Sequence, residues 1–287
     1  MPNSPIRVIF AGTPEFAVPC LNALIDDDAF DVKLVISQPD KPVGRKQEIL
    51  PTPVKACALK HGIEVAQPEN MNTFALSDTP CDFLVVVAYG QILNQDILDA
   101  PDIAPVNVHA SLLPQWRGAS PMQSAILAGD TQTGITIQKM VKALDAGPIL
   151  SQVITPLESN TTISDLHDRL ASTGAALLIE TLSNPLKETQ QDEEKATTCH
   201  KLSRSMGNLD PTKLTAEEIH RHVRALVPWP GVRVSIEGQE VKLIEVALTE
   251  TNESIALQCK DTELHIVLLQ PPGKKPMSGL AWQRGRS

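Results

Sequence analysis

Two polar residues near the middle of the sequence, Asn107 and His109, have side-chain types suited to stabilising negative charge. They end the apolar run APDIAPVNV and stand two positions apart, so on a strand their side chains project from the same face. An amide and an imidazole that converge on one point can stabilise an oxyanion, and one such donor is worth about 3 kcal/mol. A lone histidine at a strand end more often caps a carbonyl group, so both interpretations stay open on these residues alone.

A carboxylate from a neighbouring loop makes the catalytic interpretation more specific. Asp145 lies in the segment KALDAGPIL, just before a glycine-proline turn. From there it could hold His109 in one tautomer, as the third member of many histidine sites does. The alternative is an aspartate that closes a tight turn through its own backbone.

The elements that must position these residues alternate between strands and helices, which predicts an α/β fold with a mostly parallel sheet. Predicted strands cover 6–11, 31–37, 82–88, 104–110, 133–140 and 148–156, and a long amphipathic helix covers 161–182. Ligands bind at the carboxyl ends of strands in such sheets, where Asn107 and His109 fall. The turn FAGTPEF has one glycine instead of the dinucleotide-binding G-x-G-x-x-G, so a nucleotide cofactor is disfavoured and a tight turn is predicted.

The second half of the chain predicts a different, smaller domain. The polar, aperiodic stretch from Asn184 to Ser205 indicates a linker. After it come a helix capped by Thr215 and three or four short strands, VRVSIEG, EVKLIEVAL, ESIALQC and ELHIVLLQ, which favour a small β-barrel or sandwich. We therefore predict a catalytic domain over 1–187, a linker over 188–205 and a β-barrel domain over 206–287.

The amino-acid composition argues against a disordered protein, a structural metal site and a membrane helix. Hydrophobic residues make up 42% of 287 residues, which excludes general disorder. Five scattered cysteines without metal-ligand spacing predict reduced thiols, a cytoplasmic location and no structural metal. No apolar run approaches the roughly 20 residues of a membrane helix, so no membrane partner is expected.

Charge is distributed unevenly along the chain. The net charge is −9; residues 1–194 carry 12 basic and 24 acidic residues (−12), whereas residues 195–287 carry 13 and 10 (+3). This asymmetry indicates either a polyanionic partner for the second half or an ordinary solvated basic tail.

Several stretches resemble one family, in order along nearly the whole chain. The stretches that carry the resemblance are AGTPEFAVP, QPDKPVGR with LPTPVK, VVVAYGQIL, NVHASLLPQWRGASPMQSAILAGDTQTGITI, LDAGPIL, VPWPG and LLQPPGKKPMS. Together they resemble the methionyl-tRNA formyltransferases of the 10-formyltetrahydrofolate-dependent formyltransferase family. The resemblance implies a Rossmann-like catalytic domain followed by an OB-like β-barrel.

The resemblance also implies a reaction and its catalytic residues. The formyl group of 10-formyltetrahydrofolate would pass to the α-amino group of methionine on initiator Met-tRNA, for translation initiation. Asn107 and His109 would stabilise the tetrahedral oxyanion, while Asp145 would hold His109 and help to move the proton. The folate arrives as a co-substrate, so no tightly bound cofactor or metal is expected, and the family implies a monomer.

Substrate-binding residues follow from the same matched stretches. Those implied to bind folate are Ser111, Leu112, Leu113, Pro114, Tyr89, Gly90, Ile92 and Leu144. Those implied to bind tRNA are Lys41, Arg45 and Lys46 in the loop 37–55, and Lys274 and Lys275 in the second domain. The family's second glycine is missing from the loop, where Glu48 adds a negative charge.

The catalytic residues do not determine which molecule accepts the formyl group. Formyltransferases that act on amino sugar nucleotides or other small amines, and formyl-folate hydrolases, share them. A folate- or tRNA-binding protein without activity is a third hypothesis, and the complete set of Asn107, His109 and Asp145 argues against it. The basic loop and the basic second domain favour tRNA.

Overall fold

The computed structural model describes residues 4–44 and 47–285 and divides into two compact units. The first unit comprises Met1–Gly118, Thr133–Pro156 and His167–Thr198, and the second comprises Ala119–Gln132, Leu157–Leu166 and Cys199–Ser287. The domain boundaries predicted at residues 187 and 206 stay a prediction.

A seven-stranded sheet forms the centre of the first unit. Its strands are β1 (Ile6–Gly12), β2 (Phe30–Ile36), β5 (Val65–Ala66), β6 (Phe83–Val87), β7 (Ala104–His109), β9 (Gln132–Lys139) and β10 (Ile149–Pro156). They are arranged in the order β10-β9-β7-β6-β1-β2-β5. The neighbours from β7 to β5 in this order pair in parallel, whereas β9 runs antiparallel to β7. The predicted Rossmann-like, mostly parallel sheet is therefore confirmed.

Helices and short strands lie between the strands of this sheet and after its last strand in the chain. The helices are α1 (Val18–Ile25), α2 (Pro53–Lys60), α3 (Gln95–Leu98) and α5 (Ile163–Leu182), and the short strands are β3 (Lys41–Val43), β4 (Glu48–Leu50), β8 (Arg117–Gly118) and β11 (Thr198–Cys199). Single 3-10 turns occupy Glu15–Ala17, Met71–Thr73, Leu76–Asp78 and Glu193–Lys195.

Packing in the core of the first unit shows which face of the sheet can carry functional side chains. Every residue of β6 and β7 is buried. Gly174 of α5 lies against Val108 and Ile135, where a Cβ atom would come within 3.1 Å of Val108. Because side chains alternate along a strand, Asn107 and His109 lie on the opposite face of β7 from this helix.

The segment 37–55, described as a loop from its sequence, contains two short strands. Strands β3 and β4 pair antiparallel, Lys41 with Leu50 and Val43 with Glu48, and make a hairpin. At its base the Lys55 Nζ atom lies 2.5 Å from Asp40 Oδ2 and 2.6 Å from Gln67 Oε1. The hydrogen bond from Lys55 lowers the pKa of Asp40, so this anchor is ionic at neutral pH.

The second unit is built on an antiparallel sheet of five strands. Its ladder runs β12-β13-β15-β14, and β16 pairs with β15. The elements are β12 (Val232–Ile236), β13 (Gln239–Ala247), β14 (Ile255–Gln258), β15 (Glu263–Gln270), β16 (Met277–Ser278), α4 (Pro121–Ala128), α6 (Ala216–Leu226) and α7 (Gly279–Arg284), with a 3-10 helix at Arg204–Gly207. The four predicted strands are confirmed.

Helix α6 begins where its sequence predicts. The Thr215 hydroxyl accepts from the Glu218 N–H at 3.1 Å, and the Glu218 carboxylate accepts from the Thr215 N–H at 2.7 Å. This reciprocal capping satisfies two N–H groups that a helix start leaves unpaired.

Within the described ranges, no helix of either unit combines the length and the apolar character needed to cross a bilayer.

Candidate active site

Four polar side chains share one face of two neighbouring buried strands. Asn107 of β7 is the register partner of Gln138 of β9, and His109 is the partner of Thr136. All four are at most 9% exposed. Directly opposed residues in an antiparallel pair point to the same side of the sheet. The sheet therefore places a polar patch inside an otherwise apolar core, at the end of β7 that the sequence indicated.

His109 is fixed by the chain that follows it. Its Nε2 atom lies 3.0 Å from the carbonyl oxygen of Trp116. A carbonyl can only accept, so Nε2 carries the proton and Nδ1 is the acceptor in the neutral ring. Nδ1 lies 3.7 Å from Asp145 Oδ1, and both side chains are nearly buried. The predicted approach of Asp145 to His109 is present, with a gap slightly longer than a hydrogen bond.

Both oxygens of Asp145 are held by donors from other elements. Gly118 N donates to Oδ2 at 2.8 Å and Gln138 Nε2 donates to Oδ1 at 3.0 Å. Asp145 itself adopts a left-handed backbone conformation with φ of 50°, which aspartate tolerates better than most residues. These two donors, one on each oxygen, fix the direction of the nearly buried carboxylate towards His109.

The loop that carries Asp145 folds tightly against β9. At Gly147 an added Cβ atom would lie 1.8 Å from the carbonyl oxygen of Lys139, so only glycine fits. Lys139 N also donates to Pro148 O at 3.0 Å. The "AGP" that follows Asp145 thus allows the chain to return along β9, and this return sets the position of the carboxylate.

Strand β9 also holds the segment 111–114 through a single hydroxyl. Thr136 Oγ1 donates to Ser111 O at 2.7 Å and accepts from Leu113 N at 3.1 Å. Gln152 Nε2 bonds both Thr136 Oγ1 and Leu113 O at 2.8 Å. Ser111 and Leu113 are buried, so the SLLP segment is a fixed wall rather than a free loop.

A cavity of about 130 Å³ adjoins Asp145. Its lining is mostly apolar with a few amide groups, the composition usual for small-molecule sites. The lining residues are Gln91, Ile92, Leu93, Leu98, Gln138, Met140, Val141, Lys142, Leu144 and Asp145. Of the residues predicted to bind folate, Ile92 and Leu144 lie on this cavity, and both are strongly exposed.

The other residues predicted to bind folate are not on its lining. Gly90 is exposed and the segment 111–114 is held by β9 as described above. The Tyr89 ring is 2% exposed and packs in the core, where burial raises the pKa of its hydroxyl. Any contact of Tyr89 with a ligand would therefore use its backbone.

The residues predicted to bind tRNA lie on separate elements. Lys41 is exposed at the start of the hairpin, while Arg45 and Lys46 lie outside the described residues. In the second unit Lys274 and Lys275 are exposed in the turn after β15, where Gln270 Nε2 donates to Lys274 O at 2.8 Å.

Two networks were not found by sequence reasoning. Thr136 and Gln138 are polar residues that alternate with the apolar residues of GITIQ, and that alternation on a buried strand was an available signal. The second network joins Arg117 to Gln191 and Glu193 beside the Asp145 loop. The hydrogen bonds that Arg117 donates to Glu193 raise the pKa of Arg117 and lower the pKa of Glu193.

Comparison with known proteins assigns the architecture. The family model described as "Formyl transferase" matches residues 6–182, and the model "Formyl transferase, C-terminal domain" matches residues 201–287. The chain belongs to the formyl transferase family. Membership confirms the resemblance inferred from the sequence motifs and makes this chain a formyl-transferring enzyme.

Curated relatives of this formyl transferase are similar over nearly the whole chain. A methionyl-tRNA formyltransferase of Hahella chejuensis is 40% identical, covering 96% of this chain and 93% of the relative. A methionyl-tRNA formyltransferase of Bacillus cereus is 41% identical, covering 98% and 96%.

Solved structures support the same fold at lower identity. An N-formyltransferase from Helicobacter canadensis, in complex with folinic acid and dTDP-3-aminofucose, aligns with a TM-score of 0.70 at 21% identity over 93% of this chain and 99% of that one. HypX from Aquifex aeolicus, in complex with tetrahydrofolic acid, aligns with a TM-score of 0.67 at 13% identity over 98% of this chain and 47% of that one.

Proposed function

We propose that this formyl transferase moves the formyl group of 10-formyltetrahydrofolate to the α-amino group of methionine on initiator Met-tRNA. The observation that carries the acceptor is the identity of about 40%, over both domains, with chains named methionyl-tRNA formyltransferase. The same proposal makes it a cytoplasmic, monomeric enzyme of translation initiation, with folate as a co-substrate and no tightly bound cofactor.

The site supports the chemistry as follows. The neutral amine attacks the formyl carbon, a C–N bond forms, and the carbonyl oxygen becomes an oxyanion that the Asn107 amide stabilises, joined by His109 once its Nδ1 atom has taken up a proton. The attacking nitrogen then loses a proton and N10 of the folate leaves with one, as the C–N10 bond breaks. His109 Nδ1, with Asp145 3.7 Å away, is the group that accepts and returns this proton.

The cavity suits one end of the folate. Its apolar wall, formed by Ile92, Leu93, Val141 and Leu144, would cover a flat heteroaromatic ring, and the Gln91 and Gln138 amides offer hydrogen bonds. Asp145 closes one side of the cavity, which would bring the N10 formyl group of a bound folate to the catalytic residues.

The tRNA would be held by charge at two places. Lys41 lies in the hairpin of the first unit, and Lys274 and Lys275 lie in a turn of the second. Arg45 and Lys46, which lie outside the described residues, would act together with Lys41. Lysine and arginine contacts to phosphates give affinity that falls as salt concentration rises.

The test is formyl transfer by purified protein from 10-formyltetrahydrofolate to Met-tRNA. We expect formyl-Met-tRNA with wild type, and at least about a hundredfold less kcat with Asn107→Ala or His109→Ala, which each remove a transition-state donor. Transfer to an amino sugar nucleotide but not to Met-tRNA would reject the proposed acceptor. Activity that is indifferent to both substitutions would reject the proposed site.

A further inference from the structure

Gln191 is a buried amide in which every polar position is used. Its Nε2 atom donates to Asp145 O at 2.8 Å and to Gly147 O at 2.7 Å. Its Oε1 atom accepts from Arg117 Nε at 3.0 Å and from Arg117 Nη2 at 2.8 Å. The residue is 9% exposed. An amide has two donor hydrogens and one two-fold acceptor, so this geometry admits only one orientation of the side chain.

Arg117 is committed to the same network. Its guanidinium group bonds both oxygens of Glu193, at 2.9 and 2.7 Å, in addition to Gln191. Its side chain is 10% exposed. The planar fork of the guanidinium group is thus used within the protein, and Arg117 is not available as a basic group for a polyanion.

The hydrogen-bond network contacts both the carboxylate and the backbone carbonyl of Asp145. On one side Gly118, which follows Arg117, donates its N–H to Asp145 Oδ2. On the other side Gln191 holds the backbone carbonyl of Asp145, and Arg117 holds Gln191. The residue before Arg117, Trp116, supplies the carbonyl that accepts from His109 Nε2. The short segment 116–118 therefore fixes His109 directly and Asp145 from both ends.

We propose that Gln191 is a positioning residue for catalysis, which sets the Asp145 carboxylate against His109 by holding the backbone of residues 145–147. This inference rests on the proposed function, since it assumes that Asp145 acts in formyl transfer. Proton transfer depends steeply on geometry, and a displacement of about 1 Å can cost about a hundredfold in rate.

Gln191→Glu is the most direct perturbation. A carboxylate keeps the acceptor for Arg117 but places oxygen atoms against the carbonyl oxygens of Asp145 and Gly147, so it repels the loop that the amide holds. Gln191→Met keeps the length of the side chain and removes all four hydrogen bonds. Asp192→Asn is the matched control, because Asp192 is the adjacent exposed residue and pairs with Lys195 on the surface.

The test measures kcat and KM for formylation of Met-tRNA, the affinity for tetrahydrofolate, and the melting temperature by circular dichroism. We expect kcat to fall about 10- to 100-fold in Gln191→Glu and about 10-fold in Gln191→Met. We expect the affinity for tetrahydrofolate to change less than threefold, and Asp192→Asn to behave as wild type. An unchanged kcat in both Gln191 variants, or a parallel fall in tetrahydrofolate affinity, would overturn the proposal.

A double-mutant cycle separates positioning from general destabilisation. If Gln191 acts through Asp145, Gln191→Met should lower kcat about tenfold in wild type and less than twofold in the Asp145→Asn background. Equal effects in both backgrounds would overturn the proposal even if one single variant folds poorly. The acceptor is tested by the wild-type arm alone: if wild type formylates an amino sugar nucleotide instead of Met-tRNA, the same cycle is measured with that acceptor.

Discussion

Replacing Asp145 by asparagine tests the arrangement of the site most sharply. When His109 carries a proton during transfer, the imidazolium and the carboxylate are two unit charges 3.7 Å apart, with side chains 7% and 11% exposed. At an effective dielectric constant of about 20, their attraction is about 4.5 kcal/mol. An amide of the same size loses this attraction, and the barrier rises by about that amount. We therefore expect kcat to fall about a thousandfold in Asp145→Asn.

The assay is single-turnover formylation of Met-tRNA at saturating 10-formyltetrahydrofolate, with tetrahydrofolate binding measured in parallel. Binding should change little, because the lost attraction exists only while His109 is protonated. Asp168→Asn, at a carboxylate 85% exposed on α5, serves as control and should keep wild-type activity. A decrease in kcat smaller than tenfold for Asp145→Asn, or an equal decrease in folate binding, would refute the proposed role of this carboxylate.

Three further predictions concern residues other than Asn107, His109 and Asp145. Gln138→Met, which removes the donor to Asp145 Oδ1, should lower kcat about tenfold in the formylation assay, since a hydrogen bond to a charged group contributes about 1.5–3 kcal/mol. Lys55→Met, which removes the cation at the base of the hairpin, should raise KM for tRNA severalfold and leave tetrahydrofolate binding unchanged. The hydrogen bond from Arg7 lowers the pKa of Asp82, so this pair stabilises the fold at neutral pH and loses its effect as the pH falls through that lowered value. Asp82→Asn should therefore lower the midpoint of urea unfolding at pH 7, and the difference from wild type should shrink below about pH 4.

The strands and helices that carry the site were predictable because buried segments need apolar residues in a regular pattern. A strand covered on both faces needs a continuous apolar run, and β6 has one in Phe83–Val87. In β7 the apolar run is interrupted by Asn107 and His109, and the interruption itself indicated a site at the end of that strand. The positions of these two residues therefore followed from local pattern.

The hairpin β3–β4 was not predicted, for a physical reason. Each strand has three residues, Pro42 lies in the middle of the first, and Glu48, Ile49 and Leu50 of the second are all exposed. Because Lys41, Pro42 and the residues of the second strand are exposed, no buried face imposes an alternation of apolar and polar residues from which a strand could be recognised. Its fixed point is the base, where Lys55 contacts residues 12 and 15 positions away.

The role of Gln191 could not be predicted from the sequence, because it depends on polar contacts between residues far apart in the chain. Gln191 lies in a polar stretch without periodicity, which indicated only a linker. Its partners stand 44, 46 and 74 positions earlier in the chain. No local pattern records such pairings, because each depends on how the first unit brings loops together. A buried glutamine in a segment of charged residues becomes recognisable only when its four hydrogen bonds are seen.

The two parts of the catalytic set are therefore held in different ways, and this difference determines how each responds to change. Asn107 and His109 lie in a fully buried strand, so the sheet fixes them together with the core. Asp145 lies in a loop with a left-handed backbone, and its direction depends on a few hydrogen bonds from Gly118, Gln138 and Gln191. Substitutions at Asn107 or His109 perturb the buried strand itself, whereas substitutions among the loop contacts should lower kcat chiefly by moving Asp145. A site assembled in this way can be adjusted in rate through its loop contacts without rebuilding the core that carries it.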